Sequence, residues 1–566
     1  MKVSDYIVEF FIARGVTDVF GYPGGMVTHL MDSFSHRADR IHAHVNYHEQ
    51  AAAFCACGYA QVSKIPGVAY ATSGPGATNL ITGIANAYFD SIPTVFLTGQ
   101  VNTYEAKGEL PIRQQGFQET DILSMVKGIT KYCAYVSRPE DIRQELEKAW
   151  YYANEGRKGP VLLDIPMNVQ RGDIDPNNIA IFEKIREEYS DFQDKKEQCL
   201  EWTILAERPV LLIGAGVKQA GEEAAVRHLA ERWGIPVVSS MTAFDVFSAE
   251  HSNYFGFIGA YGNRTANFIV AKSDLIISLG SRLDMRQVGA HTKNFGGKAK
   301  LIRVDLDTNE FSRKIKEDEL QITCGIAEFV KETGDFFQGT FQPWLTVCQE
   351  IKERLKNLDD RKPNIWIRRF SEKLPEDIAV TTDVGQNQVW VAQSLKVKKG
   401  QQVLFSGGHG AMGYSLPAAI GAYYGSRKPV VCFCGDGGLQ MNIQELQFVA
   451  REKLPVLIVI LNNSALGMIR HFQEMYFQSN YYQTMKEGGY TVPDFEKIAY
   501  AYGLDYYRIE TDRDMERYEP DFDKPQIVEI LLPEPTYVFP KLEFGKPNQD
   551  QEPLLDRGLY QELMEL

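Results

Sequence analysis

Two apolar runs in the last third of the chain, Val430-Val-Cys-Phe-Cys434 and Leu457-Ile-Val-Ile-Leu461, constrain the fold more than any other feature. Each is uncharged and rich in β-branched residues, the pattern of a strand buried on both faces of a parallel sheet. The first leads into Gly435-Asp436-Gly437-Gly438, the second into Asn462-Asn463. From Gly438 to Leu461 there are 24 residues, room for a helix, predicted over Asn442–Glu452, that crosses between two adjacent parallel strands. Both motifs then emerge at the same carboxyl edge of one sheet, where α/β folds bind their ligands.

The same alternation fills the rest of the chain. Asp18–Gly21, Val68–Ala71, Thr94–Thr98 and Val161–Ile165 read as strands of a first block. Pro209–Ile213, Pro236–Ser240 and Asp274–Gly280 read as strands of a second, and Ile378–Thr382 and Ile527–Leu531 complete a third. Polar, charge-dense stretches separate them: Asp173–Gln198, read as a linker, and Gln342–Asn364, read as a helical linker. At 566 residues the chain has room for three or four domains of about 150 residues each. The reading is α/β, three doubly wound parallel-sheet domains over residues 1–170, 190–336 and 365–532, with a tail over 533–566 expected to wrap over the surface or a neighbouring subunit.

Composition narrows the partners. Lys and Arg number 60 against 74 Asp and Glu, a net charge of −14, which repels nucleic acid and anionic membrane. The N-terminus carries Val3, Ile7, Val8, Phe11 and Ile12 at helical spacing, broken by Asp5, Glu9 and Arg14. That is an amphipathic helix without the basic start and apolar run of a signal peptide, and no window approaches a membrane span, so the expected location is cytoplasmic. Eight cysteines include the pairs Cys55/Cys57 and Cys432/Cys434 but no Cys-x-x-Cys. Buried free thiols are expected, with neither a disulfide framework nor a zinc site.

A carboxylate, an amide oxygen and nearby carbonyls at one sheet edge suit a hard divalent cation such as Mg²⁺ bridging a diphosphate, while the glycines admit phosphate oxygens to backbone N–H groups. Either dipeptide alone is a tight turn or a helix cap. Together, in this spacing, they resemble the thiamine-diphosphate signature, and the chain is similar to the acetolactate-synthase-like enzymes across all three domains. The first block supplies matching pieces in family order: Gly21-Tyr-Pro-Gly-Gly25, Tyr47-His-Glu-Gln50, Thr72-Ser-Gly-Pro-Gly-Ala-Thr-Asn79, Thr98-Gly-Gln100 and Phe117-Gln-Glu119. The third adds Val384-Gly-Gln-Asn-Gln388, Gly407-Gly-His-Gly-Ala-Met-Gly-Tyr414 and Asn462-Asn-Ser-Ala-Leu-Gly-Met468.

The resemblance implies roles. Glu49 activates the cofactor by hydrogen bonding to N1′ of its aminopyrimidine, which calls for a water-poor pocket. Gln118 and Met412 join it as catalytic residues, Met412 wedging the cofactor into a bent conformation. Pro23, Gly24, Thr72, Gly76 and Asn79 line the pyrimidine side. Gln386, Asn387, Gly410, Asp436, Gly437, Gly438, Asn463, Gly467 and Met468 line the diphosphate side. Mg²⁺ falls to Asp436, Asn463 and the Ala465 carbonyl. Asn387 departs from the histidine often found there. With the glutamate in the first domain and the metal site in the third, the family solution puts the cofactor between two subunits, in a homodimer or homotetramer.

The reaction implied is decarboxylation of pyruvate with transfer of the two-carbon unit to a keto acceptor, most simply a second 2-keto acid, as in acetolactate synthases. Two departures bear on the acceptor. Met167 follows Asp164-Ile-Pro where a lysine is usual, and Phe472 stands where a tryptophan is usual. The alternatives are acetyl transfer to a nucleotide-linked 4-keto sugar and simple 2-keto-acid decarboxylation. The family's flavin segments also have counterparts, Arg157, Gly214-Ala215-Gly216, Arg282, Asp284 and Arg286, which extends the implied cofactors to FAD in the central domain. Arg286 could instead meet an acceptor carboxylate. Against the flavin, Gln219 stands where a Rossmann fingerprint needs glycine, and Cys324-Gly-Ile326 replaces a usual Gly-Asp.

Overall fold

The computed structural model describes residues 1–184, 189–337, 341–533 and 535–566. Three six-stranded parallel sheets organise the chain. The first contains Asp18–Gly21, His42–Val45, Gly67–Ala71, Thr94–Gln100, Tyr132–Tyr135 and Pro160–Pro166. Numbering strands along the chain within each sheet, its spatial order is 2-1-3-4-6-5. The third, with Ala379–Thr382, Gln402–Leu404, Val430–Gly435, Val456–Asn462, Asp505–Ile509 and Gln526–Leu531, repeats that order. The middle sheet, Pro209–Ile213, Val237–Ser239, Tyr254–Phe257, Leu275–Leu279, Lys300–Asp305 and Glu319–Thr323, runs 3-2-1-4-5-6. In each, the order reverses beside the first strand, which opens a crevice at the carboxyl edge.

The chain gathers into two compact units. One holds the first and third sheets, residues 1–186, 378–388 and 403–534; the other holds the middle sheet, residues 187–377, 389–402 and 535–566. In the first unit the helix Glu49–Ser63 lies against Ser415–Ser426, and glycines let the backbones touch. A Cβ on Gly58 would stand 2.1 Å from the Ala418 carbonyl oxygen, and one on Gly421 1.9 Å from that of Cys55. No other residue fits at so close a crossing. The N-terminal helix Val3–Ile12 buries Val3, Ile7, Val8, Phe10 and Phe11.

Strands Val430–Gly435 and Val456–Asn462 pair in parallel, Val430 opposite Val456, as the spacing requires. The crossover differs from the single helix expected over Asn442–Glu452. Helix begins at Asp436, stops at Met441, and resumes from Leu446 to Glu452 after a tight turn over Ile443–Glu445. Asn442 breaks it: its side-chain amide donates to the Gly413 carbonyl (2.8 Å) and the Gln50 side chain (3.2 Å), and its backbone leaves the helical region.

In the second unit, the stretch read as a linker over Asp173–Gln198 turns helical at Phe192 and stays so to Leu205; its residues 185–188 lie outside the described residues. The stretch from Gln342 is helical to Leu355, as expected, but belongs to the middle sheet's layer. Trp344, Cys348 and Ile351 are buried, and the Trp344 indole donates to the Pro209 carbonyl at 3.0 Å. The tail binds this unit too. Leu542 N–H donates to Ala260 O (2.7 Å), Arg264 to Gln551 O (2.9 Å) and Lys272 to Met564 O (2.8 Å). All eight cysteines are free thiols and seven are buried.

Candidate active site

At the third sheet's edge, Asp436 opens a helix directly after its strand, with Gly435 as the cap. Its carboxylate is 1% exposed. One oxygen accepts the Tyr490 hydroxyl at 2.5 Å and the other the Asn463 backbone N–H at 3.0 Å. Burial raises the carboxyl to about 6, against these hydrogen bonds and those from the Ser464 and Gly437 amides. Asn463, which follows the neighbouring strand, donates to Gln386 Oε1 (2.9 Å) and accepts the Ala465 N–H (3.3 Å). Gly467 admits this arrangement, since a Cβ there would meet Gln386 Oε1 at 2.0 Å. Asp436, Asn463, Ala465, Gln386 and Gly467 are thus brought together.

The crevice between the sheet's first and third strands holds the remaining groups. Asp383, fully buried, accepts the N–H groups of Val384, Gly413 and Ser415 and the Ser415 hydroxyl, while burial pushes its carboxyl up. Gly438 packs on it: a Cβ would stand 2.5 Å from Asp383 Oδ1. Asn387 keeps a buried side-chain oxygen with no hydrogen-bond partner, while its nitrogen donates to the Val384 carbonyl at 3.3 Å. Gly410 and Gly413 take left-handed φ of 71° and 83°, and Met412 reaches toward the Gly-Asp-Gly turn, with its Cε 3.5 Å from where a Gly437 Cβ would stand. Met468 is half-buried beside Gly467.

The first sheet's edge collects the other set. Glu49 starts its helix, capped by His48, whose Nδ1 accepts the Gln50 N–H at 3.0 Å. The Glu49 carboxyl is 8% exposed and accepts the Asn79 amide at 2.9 Å. Gly76 and Thr72 close around it: a Cβ at Gly76 would stand 3.1 Å from Glu49 Oε1 and 2.8 Å from Thr72 Cγ2. Gly24 packs as tightly on Thr72, at 2.4 Å, beside the exposed Pro23. Gln118, at φ 63°, meets the same loop 2.9 Å from a Gly74 Cβ. Beside this set Asp164 is buried, accepting Thr98 (2.7 Å) and Gln100 (3.0 Å), and burial raises it to about 7.

Three comparisons with family models cover most of the chain. Residues 1–125 match the thiamine pyrophosphate enzyme N-terminal TPP binding domain, 197–333 the central domain, and 383–524 the C-terminal TPP binding domain. The chain belongs to the thiamine pyrophosphate enzymes. Among curated relatives it is 33% identical to the acetolactate synthase isozyme 2 large subunit of Escherichia coli, over 97% of this chain and 99% of that one. It is 34% identical to the Corynebacterium glutamicum acetolactate synthase large subunit over 94% of this chain and 87% of that one. A chloroplastic acetolactate synthase of Nicotiana tabacum is also 34% identical, over 97% and 85%. It is therefore a thiamine-pyrophosphate-dependent enzyme of the acetolactate synthase type.

For such an enzyme the donors at the third edge fit a hard cation: a buried carboxylate, an amide oxygen and a carbonyl. Among the described residues no cluster of three or more His, Cys, Asp or Glu offers a rival site, and no helix is long and apolar enough to cross a membrane.

The central domain of this thiamine pyrophosphate enzyme does not present the flavin groups openly. Gly214 N–H donates to Leu279 O (2.9 Å) and Gly216 N–H to Gly280 O (3.0 Å), so these two amides are already engaged. Arg282 lies 3.8 Å from Asp284, which caps the short helix at Met285 through the Arg286 N–H. Arg286 is exposed, 5.8 Å from the Tyr261 ring. Arg157, in the other unit, donates to Ser91 at 2.9 Å. The Gly214 and Gly216 amides are therefore not free to meet a pyrophosphate.

Sequence reasoning missed Tyr490 and Asp383. Asp383 follows a predicted strand immediately, a usable signal. Tyr490 comes from an irregular loop far along the chain and carries none.

Proposed function

We propose that the enzyme binds thiamine diphosphate and Mg²⁺, decarboxylates pyruvate, and joins the two-carbon unit to a second 2-keto acid, forming acetolactate when both are pyruvate. The observation that carries this is the buried Asp436–Asn463–Gln386 set at the crevice of the third sheet, where backbone turns and glycines converge on a polar edge. The bound cofactor supplies a carbon nucleophile and an electron sink. Asp436, Asn463 and the Ala465 carbonyl would hold the cation; Gln386, Asn387, Gly437 and Gly438 would face the diphosphate, Asn387 through its side-chain N–H. Met412 and the Gly410 carbonyl fix the conformation, while Pro23, Gly24, Thr72, Gly76 and Met468 shape the walls. Glu49, whose buried carboxyl accepts the Asn79 amide, is the group that would hydrogen-bond N1′ of the pyrimidine. Gln118, packed on the Gly74 turn, is the residue given to the substrate.

The partners named for Glu49 lie in the first domain and those named for Asp436 in the third. With the family resemblance, this supports a site completed by two copies of the chain, a homodimer at the least. Redox-neutral carboligation needs no flavin.

A second reading rests on the acceptor side. The helix Gly467–Tyr476 exposes Ile469, Phe472 and Tyr476 by 55%, 53% and 60%, an aromatic face suited to a larger, flatter acceptor such as a nucleotide-linked 4-keto sugar. Incubation with thiamine diphosphate, Mg²⁺ and pyruvate, followed by mass spectrometry, separates the two. Acetolactate accumulating at a catalytic rate is the expected product. CO₂ release without acetolactate, until a 4-keto sugar nucleotide is added, would replace the first reading by the second, and free acetaldehyde would show a decarboxylase.

A further inference from the structure

Between the strand His42–Val45 and the helix that begins at Glu49 lie three residues, and one carboxyl of the third domain holds all of them. Glu445 is fully buried. Its Oε1 accepts the Tyr47 backbone N–H at 2.8 Å, its Oε2 accepts the Asn46 side-chain N–H at 3.0 Å, and the His48 N–H is a further donor to it. Neighbouring residues extend the grip on both sides. Arg451 donates to the Val45 carbonyl (3.1 Å) and the Tyr47 hydroxyl (3.2 Å), and Asn442 donates to the Gln50 side chain (3.2 Å).

Burying a carboxyl is costly unless its oxygens are matched by donors. Here burial raises Glu445 to about 7 even with those donors and Arg451 nearby. A solvent-exposed turn would satisfy the same amides with water. The arrangement instead fixes the backbone of Asn46–His48 against the turn Ile443–Glu445 of the crossover that begins at Asp436, while Asn79 fixes only the end of the Glu49 side chain.

We propose that Glu445 is a positioning residue for Glu49: by holding the backbone of Asn46–His48 it sets where the activating carboxyl stands. The inference rests on the role given to Glu49 above. A misplacement of about 1 Å costs on the order of 100-fold in rate.

The test measures hydrogen–deuterium exchange at the reactive thiazolium carbon of thiamine diphosphate bound with Mg²⁺, by quenched NMR, alongside cofactor affinity by calorimetry. Glu445→Ala is expected to slow exchange by about 10- to 100-fold while cofactor affinity stays within about threefold, because the diphosphate site is untouched. Glu445→Gln is expected to recover exchange to within about threefold. Its amide oxygen still accepts the Tyr47 N–H, and its NH₂ can donate to Asn46 Oδ1, which has no partner in the wild type, once the Asn46 amide that presents its nitrogen to Glu445 turns over. Should the alanine protein fail to fold, Glu445→Asp, one methylene shorter and unable to reach all three donors, is expected to show the same slowing.

Exchange unchanged in both the alanine and aspartate variants, affinity and exchange falling together, or glutamine no better than alanine would overturn the proposal. Glu49→Gln run in parallel separates the two layers. If it fails to slow exchange, the reading of Glu49 falls and this inference with it; if it slows exchange and Glu445→Ala does not, only the inference falls.

Discussion

The third and middle sheets each run a first strand and a later one into glycine-bearing turns at the point where strand order reverses, and the two crevices end with opposite contents. In the third sheet Gly438 packs on the Asp383 carboxyl, a Cβ on Gly435 or Gly385 would stand 3.3 or 3.4 Å from the Asn387 side-chain nitrogen, and Asn387 keeps an unmatched oxygen. In the middle sheet the glycines meet one another. A Cβ at Gly214 would stand 2.2 Å from Gly280 O, and one at Gly216 2.7 Å from Gly280 Cα. The amides of that turn close on the neighbouring strand. A glycine-rich turn after a strand therefore identifies a site only when polar side chains line it; otherwise it marks two backbones packed together.

The comparison can be broken at its polar side first. Asp436→Ala should weaken Mg²⁺-dependent binding of thiamine diphosphate by at least about 1,000-fold, on the order of 4 kcal/mol, because it removes the charged ligand of the cation. Calorimetric titration measures this, and binding that stays tight would move the diphosphate elsewhere. At the middle crevice the expected effect falls on stability. Gly280 has a φ of 57° and would place a Cβ 2.8 Å from Gly216 Cα, so Gly280→Ala should destabilise its unit by about 2 kcal/mol. Scanning calorimetry should show an earlier first transition, with cofactor affinity within about threefold of wild type. Equal losses of affinity there and at Asp436 would erase the distinction.

The smallest effect concerns Asp164. Its folded value of about 7 lies above the unfolded 3.8, so the folded state favours the protonated form. The stabilisation this gives is complete below pH about 4 and is lost as pH rises to about 7. Between pH 6 and 8 the share of Asp164 is about 1 kcal/mol. Asp164→Asn should remove that slope from urea midpoints measured at the two pH values, and a slope that persists would assign it to other groups.

The interior strands were legible because they are apolar on both faces. The edge strands were not. His42–Val45, Tyr132–Tyr135, Tyr254–Phe257, Glu319–Thr323, Gln402–Leu404 and Asp505–Ile509 form all six sheet edges, and none was predicted. His42–Val45 and Asp505–Ile509 are largely half-exposed and polar, so no apolar run signals them. Lys300–Asp305 is interior yet was missed, because Arg303 interrupts it; that guanidinium is buried against Glu319 at 3.0 Å. The turn motifs of the site could be read as short spacings tied to strand ends. Glu445 and Tyr490 could not, because their partners Tyr47 and Asp436 are joined to them only by the tertiary fold.

In the proposed reaction the work divides between two edges, with the third sheet holding the cofactor and the first activating it. The most direct test is Glu49→Gln, assayed for thiamine diphosphate affinity in the presence of Mg²⁺ and for turnover of pyruvate. Affinity within about threefold of wild type together with turnover reduced at least about 100-fold is the expected result. Unchanged turnover, or cofactor binding lost along with it, would contradict the division.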